Sequence, residues 1–240
     1  MKNEKKFAVF DIDGTLIRWQ LYHALVDSLV KQGLIKPPEF EKVHAGRMEW
    51  KKRAHGTAYH EYENIVVQTF LNALPKITPA QFESACQETF EEYKDQVYTF
   101  TRELVPFLKK GGYTVLAISG SQNQIVKKIA DYYGFDDYAG SELEQKNSKF
   151  TGKNISPFGK KDQILKTLIK KHKLSMEGSV AVGDSEGDIA MLEMVEQPIA
   201  FNPTSDLFKI AKENKWPIMI ERKNVVYKLE PSEKDGYILA

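Results

Sequence analysis

Three short, mostly apolar runs set the tightest limit on the fold: FAVF (7–10), YTVLAIS (113–119) and SVAVG (179–183). A strand without polar alternation has to be covered on both faces. Each run is followed by a turn-forming or capping polar residue and then by a helical pattern. After the second run, Ser121 is placed to cap the helix of QNQIVKKIADYYG, with Ile125 and Ile129 on one face and Gly134 as its stop. After the third, Ser185 precedes EGDIAMLEMV, and a fourth run, PIAF (198–201), follows that helix. Strands alternating with helices predict an α/β fold built on a doubly wound parallel sheet.

One segment breaks the alternation. From about Arg18 to Gln96 there is no convincing strand, and several helical patterns succeed one another. Leu21, Leu25 and Leu29 share a face beside Tyr22, Val26 and Val30, while Tyr59, Tyr62, Val66, Phe70 and Leu74 repeat at helical spacing. Thr78 and Pro79 make a cap and first turn for a helix carrying Phe82, Cys86, Phe90, Tyr93 and Val97. This stretch is far too long for an ordinary connection. It predicts a small helical domain over 18–96, inserted after the first strand into an α/β core of residues 1–17 and 97–240. Within the core, SELEQKNSKFTGKNI (141–155) reads as a hairpin turning at Lys-Asn-Ser, and the tail offers two short strands separated by Lys-Asn.

In open α/β sheets ligands collect at the carboxyl ends of strands. That rule gathers Asp11 and Asp13 from the first strand, Ser119 with Gly120 beside it from the second, and Asp184 with Asp188 a helical turn later from the third. Lys161, with Lys160 adjacent, opens the helix before the third strand. Carboxylates crowded in this way repel one another without a cation, and an all-oxygen donor set suits Mg2+. A hydroxyl and a lysine beside it supply donors for a tetrahedral phosphate. Gly14 lets the chain turn sharply, so one aspartate can face phosphorus as nucleophile while the other serves the leaving oxygen as acid and later as base.

DIDGT (11–15), Ser119 in AISGS, Lys161 in GKKDQIL and GDSEGD (183–188) resemble the four ordered motifs of the haloacid dehalogenase superfamily. The helical insert resembles its C1-type cap, and the apolar context is closest to the phosphoserine-phosphatase-like branch. The resemblance covers nearly the whole chain and implies a Rossmann-like core. It also implies Asp11 as the nucleophile forming an aspartyl-phosphate, Asp13 as general acid and base, and Thr15 and Ser119 as phosphate binders. Lys161, favoured over Lys160 by the family's lysine-to-apolar spacing, would neutralise charge. Asp11, the Asp13 carbonyl and Asp184 would ligate Mg2+, with Asp188 as a further or outer ligand. An acid at Asp13 points to phosphomonoester hydrolysis or phosphoryl transfer rather than dehalogenation. Three positions depart from the branch: Gln20 stands where a glutamate suits the substrate ammonium, Gly187 replaces an asparagine, and no clear equivalent of the cap arginine exists. Arg47 and Arg53 are the candidates to bind a different anion there, with Trp19 and Gln20 expected at the site mouth.

The expected function is a Mg2+-dependent hydrolase of a small phosphorylated metabolite. A phosphotransferase or phosphomutase using the same chemistry is the alternative, and a non-catalytic binding module a third reading. A net charge of +1 gives no case for a nucleic-acid or anionic-membrane partner. The basic start MKNEKK leads into an apolar run cut short by Asp11 and Asp13, and no run approaches the ~20 residues of a membrane span, so a cytoplasmic protein is expected. The single cysteine, Cys86, excludes an intrachain disulfide and reads as core. The sequence is silent on oligomeric state.

Overall fold

The first apolar run forms β1 (Phe7–Phe10), whose four residues are all buried. Side chains alternate along a strand, so Phe7 and Val9 enter one apolar layer while Ala8 and Phe10 enter the other. Burying a phenylalanine stabilises by about 1.5–3 kcal/mol, which is why the two phenylalanines anchor opposite faces of the sheet. The computed structural model describes residues 5–232 and 236–239; the first four residues of the MKNEKK stretch lie outside them.

The remaining elements of the sheet and its covering helices follow in chain order. Specifically, α5 (Thr99–Lys110) leads into β2 (Thr114–Gln122), α6 (Asn123–Tyr133), β3 (Asp137–Lys146) and β4 (Lys149–Ile155). Next come α7 (Lys161–His172), β5 (Val180–Gly183), α8 (Ile189–Leu192), β6 (Gln197–Phe201) and α9 (Ser205–Glu213). The chain closes with β7 (Ile218–Arg222), β8 (Val225–Pro231) and β9 (Tyr237–Leu239). The strands make one sheet in the order β4-β3-β2-β1-β5-β6-β7-β8-β9. Pairing is parallel from β3 to β7, and antiparallel where β4, β8 and β9 extend the edges. Leu165, Leu168 and Met191 cover one face and Val105 and Leu108 the other, so the sheet is wound on both sides.

The doubly wound α/β architecture therefore matches the alternation in the sequence. The strand order reverses at β1, which is flanked by β2 on one side and β5 on the other. Such a reversal opens a crevice at the carboxyl ends of the strands.

Between β1 and α5 run four helices: α1 (Leu21–Lys31), α2 (Pro37–Lys51), α3 (Ala58–Ala73) and α4 (Pro79–Tyr93). The α1 and α3 apolar stripes, with Phe82, Ala85 and Cys86 of α4, share a core cluster that continues into Ile125, Ile129, Leu143 and Phe150. Thr78 caps α4: its Oγ1 accepts from the Gln81 N–H at 3.2 Å while its own N–H donates to Gln81 Oε1 at 2.9 Å, and Pro79 supplies the first turn. The two chain passages at the ends of this segment meet, the Arg18 N–H donating to the Gln96 carbonyl at 2.8 Å and the Tyr98 N–H to the Leu16 carbonyl at 3.0 Å.

Some local expectations need correction. Ser121 is not the cap of α6, because β2 runs on to Gln122 to pair with Ser141, which makes Gln122 the cap residue and leaves the Ser121 hydroxyl buried without a partner. Val97 is not carried by α4, which stops at Tyr93; Val97 instead bridges to Ile17. The segment after Ser185 is a 3-10 turn (Glu186–Asp188) followed by a single-turn helix rather than one longer helix. Among the described residues no helix is long and apolar enough to cross a membrane.

His23 of α1 is only 2% exposed, packs edge-on against Tyr62 at 4.8 Å between ring centroids, and has no partner for Nδ1. Burial, with the Arg47 guanidinium second, pulls its pKa down to about 3. A folded-state value below the unfolded one means that the unfolded chain binds the extra proton, so stability held above about pH 6.5 is lost as pH falls toward 3. Replacing His23 with leucine should therefore shrink the loss of unfolding free energy between pH 7.5 and pH 5 by about 2 kcal/mol, read from urea denaturation at the two pH values.

Candidate active site

Asp11 follows β1 directly, its N–H bonded to the Val182 carbonyl at 3.0 Å, and its side chain is buried at the strand-order reversal. Lys161, the first residue of α7, reaches it. The Lys161 Nζ donates to Asp11 Oδ1 at 2.5 Å and to Asp188 Oδ1 at 2.6 Å, and all three residues are buried. Burial works against the lysine's charge, but the two carboxylates outweigh it and hold its pKa above the usual value. Lys160, the alternative from sequence, is exposed and caps α7.

Asp188 is fully committed by these contacts. Its Oδ2 accepts from the backbone N–H groups of Asp184 and Ser185 at 3.0 and 3.1 Å and from the Ser185 hydroxyl at 3.3 Å. It can lie this close to the backbone only because residue 183 is glycine: a Cβ there would stand 2.5 Å from the Asp188 Cβ. Thr15, expected on phosphate, donates its hydroxyl to Asp184 Oδ1 at 3.2 Å.

Carboxylate oxygens of Asp11, Asp184 and Asp188 lie within 4.8 Å of one another. Burial, and then the neighbouring carboxylates, raise the pKa of Asp11 and of Asp184. One ammonium does not balance this group. An all-oxygen set with that excess of negative charge fits a hard divalent cation such as Mg2+.

Asp13 has different neighbours. Its Oδ2 accepts from the Ser119 hydroxyl and its Oδ1 from the Leu21 N–H at the start of α1, each at 2.5 Å, and it lies outside the three-carboxylate group. Burial raises its pKa, against which the Ser119 and Leu21 hydrogen bonds act. Ser119 is fixed in turn by the Ser121 N–H at 2.9 Å, and Gly120 accepts from the Ser141 hydroxyl at 2.6 Å with open space where a side chain would project.

The crevice thus gathers Asp11, Asp13, Thr15, Ser119, Gly120, Lys161, Asp184 and Asp188, and Gln20 sits next to the Leu21 N–H that holds Asp13. Arg47 and Arg53 are not brought to it. Arg47 is committed to Asp27 at 2.8 Å and to the Tyr62 hydroxyl at 2.9 Å, an ion pair between α2 and α1 that sequence spacing does not reveal. Arg53 is exposed beyond the end of α2 with φ at 53°. Trp19 contacts His23 and Trp50, and its buried Nε1 has no partner.

What the sequence reading missed lies on α3. His60 Nε2 is 3.7 Å from Glu186 Oε1, so the helix faces the 184–188 turn across the crevice. Tyr59 and Glu63 are on the same side of α3, one turn apart. The only sequence signal for this face was a carboxylate, Glu63, set into the apolar stripe Tyr59–Tyr62–Val66.

Residues 8–193 match the family model described as haloacid dehalogenase-like hydrolase. The chain belongs to that family. It is 26% identical over 229 residues to the histidinol-phosphatase of Neisseria meningitidis serogroup C (strain 8013), covering 90% of this chain and 98% of the relative. It is also 26% identical over 207 residues to the phosphoserine phosphatase of Methanocaldococcus jannaschii, covering 84% and 87%. A solved substrate-bound phosphoserine phosphatase complex, 23% identical, has the same fold with a TM-score of 0.64 over 93% of this chain and 96% of that one. Membership in a hydrolase family with phosphatase relatives makes this protein an enzyme of the phosphatase kind.

The approach of Gly14 to Asp184 gives a direct test. Gly14 has φ at +83°, and a Cβ there would lie 2.3 Å from Asp184 Oδ2. A Gly14→Ala variant should lose about 1 kcal/mol or more from backbone strain and, by displacing Asp184, at least about tenfold in phosphatase activity. Gly187→Ala, whose Cβ would make only ordinary contacts at 3.5 Å with Phe158 and Ser185, should stay close to wild type in both thermal unfolding and turnover.

Proposed function

We propose that this enzyme is a Mg2+-dependent phosphomonoester hydrolase that acts on a small phosphorylated metabolite through an aspartyl-phosphate on Asp11. The observation carrying the proposal is the separation of two carboxylate environments at one crevice. Asp11 is ion-paired to Lys161 within the three-carboxylate group, while Asp13 is held apart by Ser119 and the α1 N-terminus.

In the first half-reaction the Asp11 carboxylate oxygen attacks phosphorus as the ester P–O bond breaks, and the Asp13 proton passes to the departing alcohol oxygen. Asp11 Oδ2 accepts no hydrogen bond among the described residues, so it is the oxygen available for attack while Lys161 holds Oδ1. Burial favours the protonated form of both aspartates, but only Asp11 is ion-paired to the Lys161 ammonium, which offsets the negative charge of phosphate and nucleophile together and leaves Asp13 as the one to give a proton. In the second half-reaction Asp13, now ionised, takes a proton from water as that water attacks the phosphorus, releasing phosphate and restoring Asp11. Asp11, the Asp13 carbonyl and Asp184 would hold Mg2+, with Asp188 behind them; the ion would screen charge and orient the phosphate oxygens.

The two relatives' named substrates, phosphoserine and histidinol phosphate, are both phosphate esters of alcohols that carry an amine on the adjacent carbon. That supports a small amino-alcohol phosphate as the type of compound to try first. Gln20 cannot supply a charge to such an amine, and Arg47 is already paired within the helical segment.

Asp11→Asn should lower turnover of p-nitrophenyl phosphate below detection in saturating Mg2+. Asp13→Asn should be slowed by about 10² to 10⁴ on alkyl phosphates, with a smaller loss on the aryl ester, whose leaving group needs less protonation. Equal loss on both esters would remove Asp13 from the role of general acid. Product analysis in excess acceptor alcohol reads free phosphate for the hydrolase and transferred phosphate for a transferase.

A further inference from the structure

The residues that hold Asp13 lead to polar groups the mechanism leaves unused. Leu21, whose N–H bonds Asp13, is followed by Tyr22, whose buried hydroxyl has no hydrogen-bond partner. Three residues beyond Ser119, the other residue holding Asp13, Gln122 is 0% exposed and both its amide atoms lack partners. Burying unpaired amide and hydroxyl groups is costly, and native structures avoid it unless something else fills the bonds.

A third group comes from α3. The His60–Glu186 contact turns the helix toward the crevice, and Glu63 lies one turn further along, partly buried. Among the described residues Glu63 has no hydrogen bond and no ion pair within 4 Å, since His60, the nearest imidazole on its helix, is beside Glu186.

We infer that Glu63, with the Tyr22 hydroxyl and the Gln122 amide oxygen, binds an ammonium group on the alcohol part of the substrate. Together they offer three acceptors, the number that an ammonium's three N–H donors require. The position is right for the leaving alcohol, because Asp13 is the residue that meets the ester oxygen.

Electrostatics point the same way. Burial pushes the Glu63 carboxyl up from its ordinary range; His60 pulls it back, and Glu186 and Asp13 push it up further. Tyr22 is raised by burial and then by Glu63, with the adjacent Gln122 amide opposing, although the two do not reach hydrogen-bonding geometry. Tyr59 is likewise raised by burial and then by Glu63, Asp184 and Asp13. A partly buried carboxylate close enough to affect these groups is stabilised in its charged form when a cation enters. Glu63 would thus supply from α3 the charge that Gln20 cannot provide.

This inference rests on the phosphomonoesterase proposal, and its test separates the two. Steady-state kcat/KM is measured in Mg2+ for 2-aminoethyl phosphate against n-propyl phosphate, for histidinol phosphate against its desamino analogue, and for p-nitrophenyl phosphate. The wild-type enzyme should prefer the amine of each pair, and Glu63→Gln should cut that ratio by about 10- to 100-fold, chiefly through KM. Glu63→Asp, which keeps the charge, should retain part of it. Far-UV circular dichroism and a thermal melt report that each variant is folded. A wild-type enzyme that hydrolyses the aryl ester without preferring the amines overturns the assignment of Glu63 and leaves the hydrolase intact, as does a preference that survives in Glu63→Gln. No turnover of any of the five esters overturns the hydrolase proposal, and the assignment with it.

Discussion

The Lys161 ammonium stands between the carboxylates of Asp11 and Asp188, and the geometry of the crevice depends on that buried contact. Removing three charges from water costs several kcal/mol per ion, offset only when each remaining lone pair and proton finds a partner. Asp188 meets that condition through two backbone N–H groups and a serine hydroxyl, which require the backbone to pass it at Gly183. Lys161 opens α7, from where its Nζ reaches both Asp11 and Asp188. The ion pair therefore fixes the relation of β1, α7 and the turn after β5, and it leaves an excess of negative charge that a divalent cation would match.

A second constraint separates the two aspartates of DIDGT. Gly14 turns the chain away from the sheet, and Asp13 passes to the Ser119 hydroxyl and the first N–H of α1. Carboxylates two residues apart thus sit among different partners, Asp11 against the Lys161 ammonium and Asp13 against a hydroxyl and a backbone N–H. The helical segment contributes more than cover. Its first helix orients Asp13, and its third brings Tyr59, His60 and Glu63 to the opposite wall of the crevice.

Much of this was legible in the sequence. FAVF could only be a strand covered on both faces, and the β1 boundaries match it residue for residue. Thr78 and Pro79 marked the start of α4 because capping is local chemistry. The carboxylate group followed from one topological rule applied to strand ends. What was not legible depended on contacts distant in sequence. Ser121 looked like a cap until Gln122 paired with Ser141. Arg47 looked free until Asp27 and Tyr62 claimed it. Choosing between Lys160 and Lys161 needed a family spacing, since only the fold buries one of them. Glu63 went unread because nothing local says that α3 turns toward the 184–188 turn.

The central claim is that Asp11 is the atom-bearing nucleophile, with Lys161 beside it and a divalent cation in the carboxylate group. A crystal structure of the enzyme with Mg2+ and beryllium trifluoride, a mimic of the acyl phosphate, tests it most directly. The account predicts beryllium bonded to an Asp11 carboxylate oxygen, Lys161 within hydrogen-bonding distance of its fluorides, and Mg2+ ligated by Asp11 and Asp184. Beryllium trifluoride bound at any other side chain, or Mg2+ absent from these carboxylates in an enzyme that turns over in the same crystals, would contradict it.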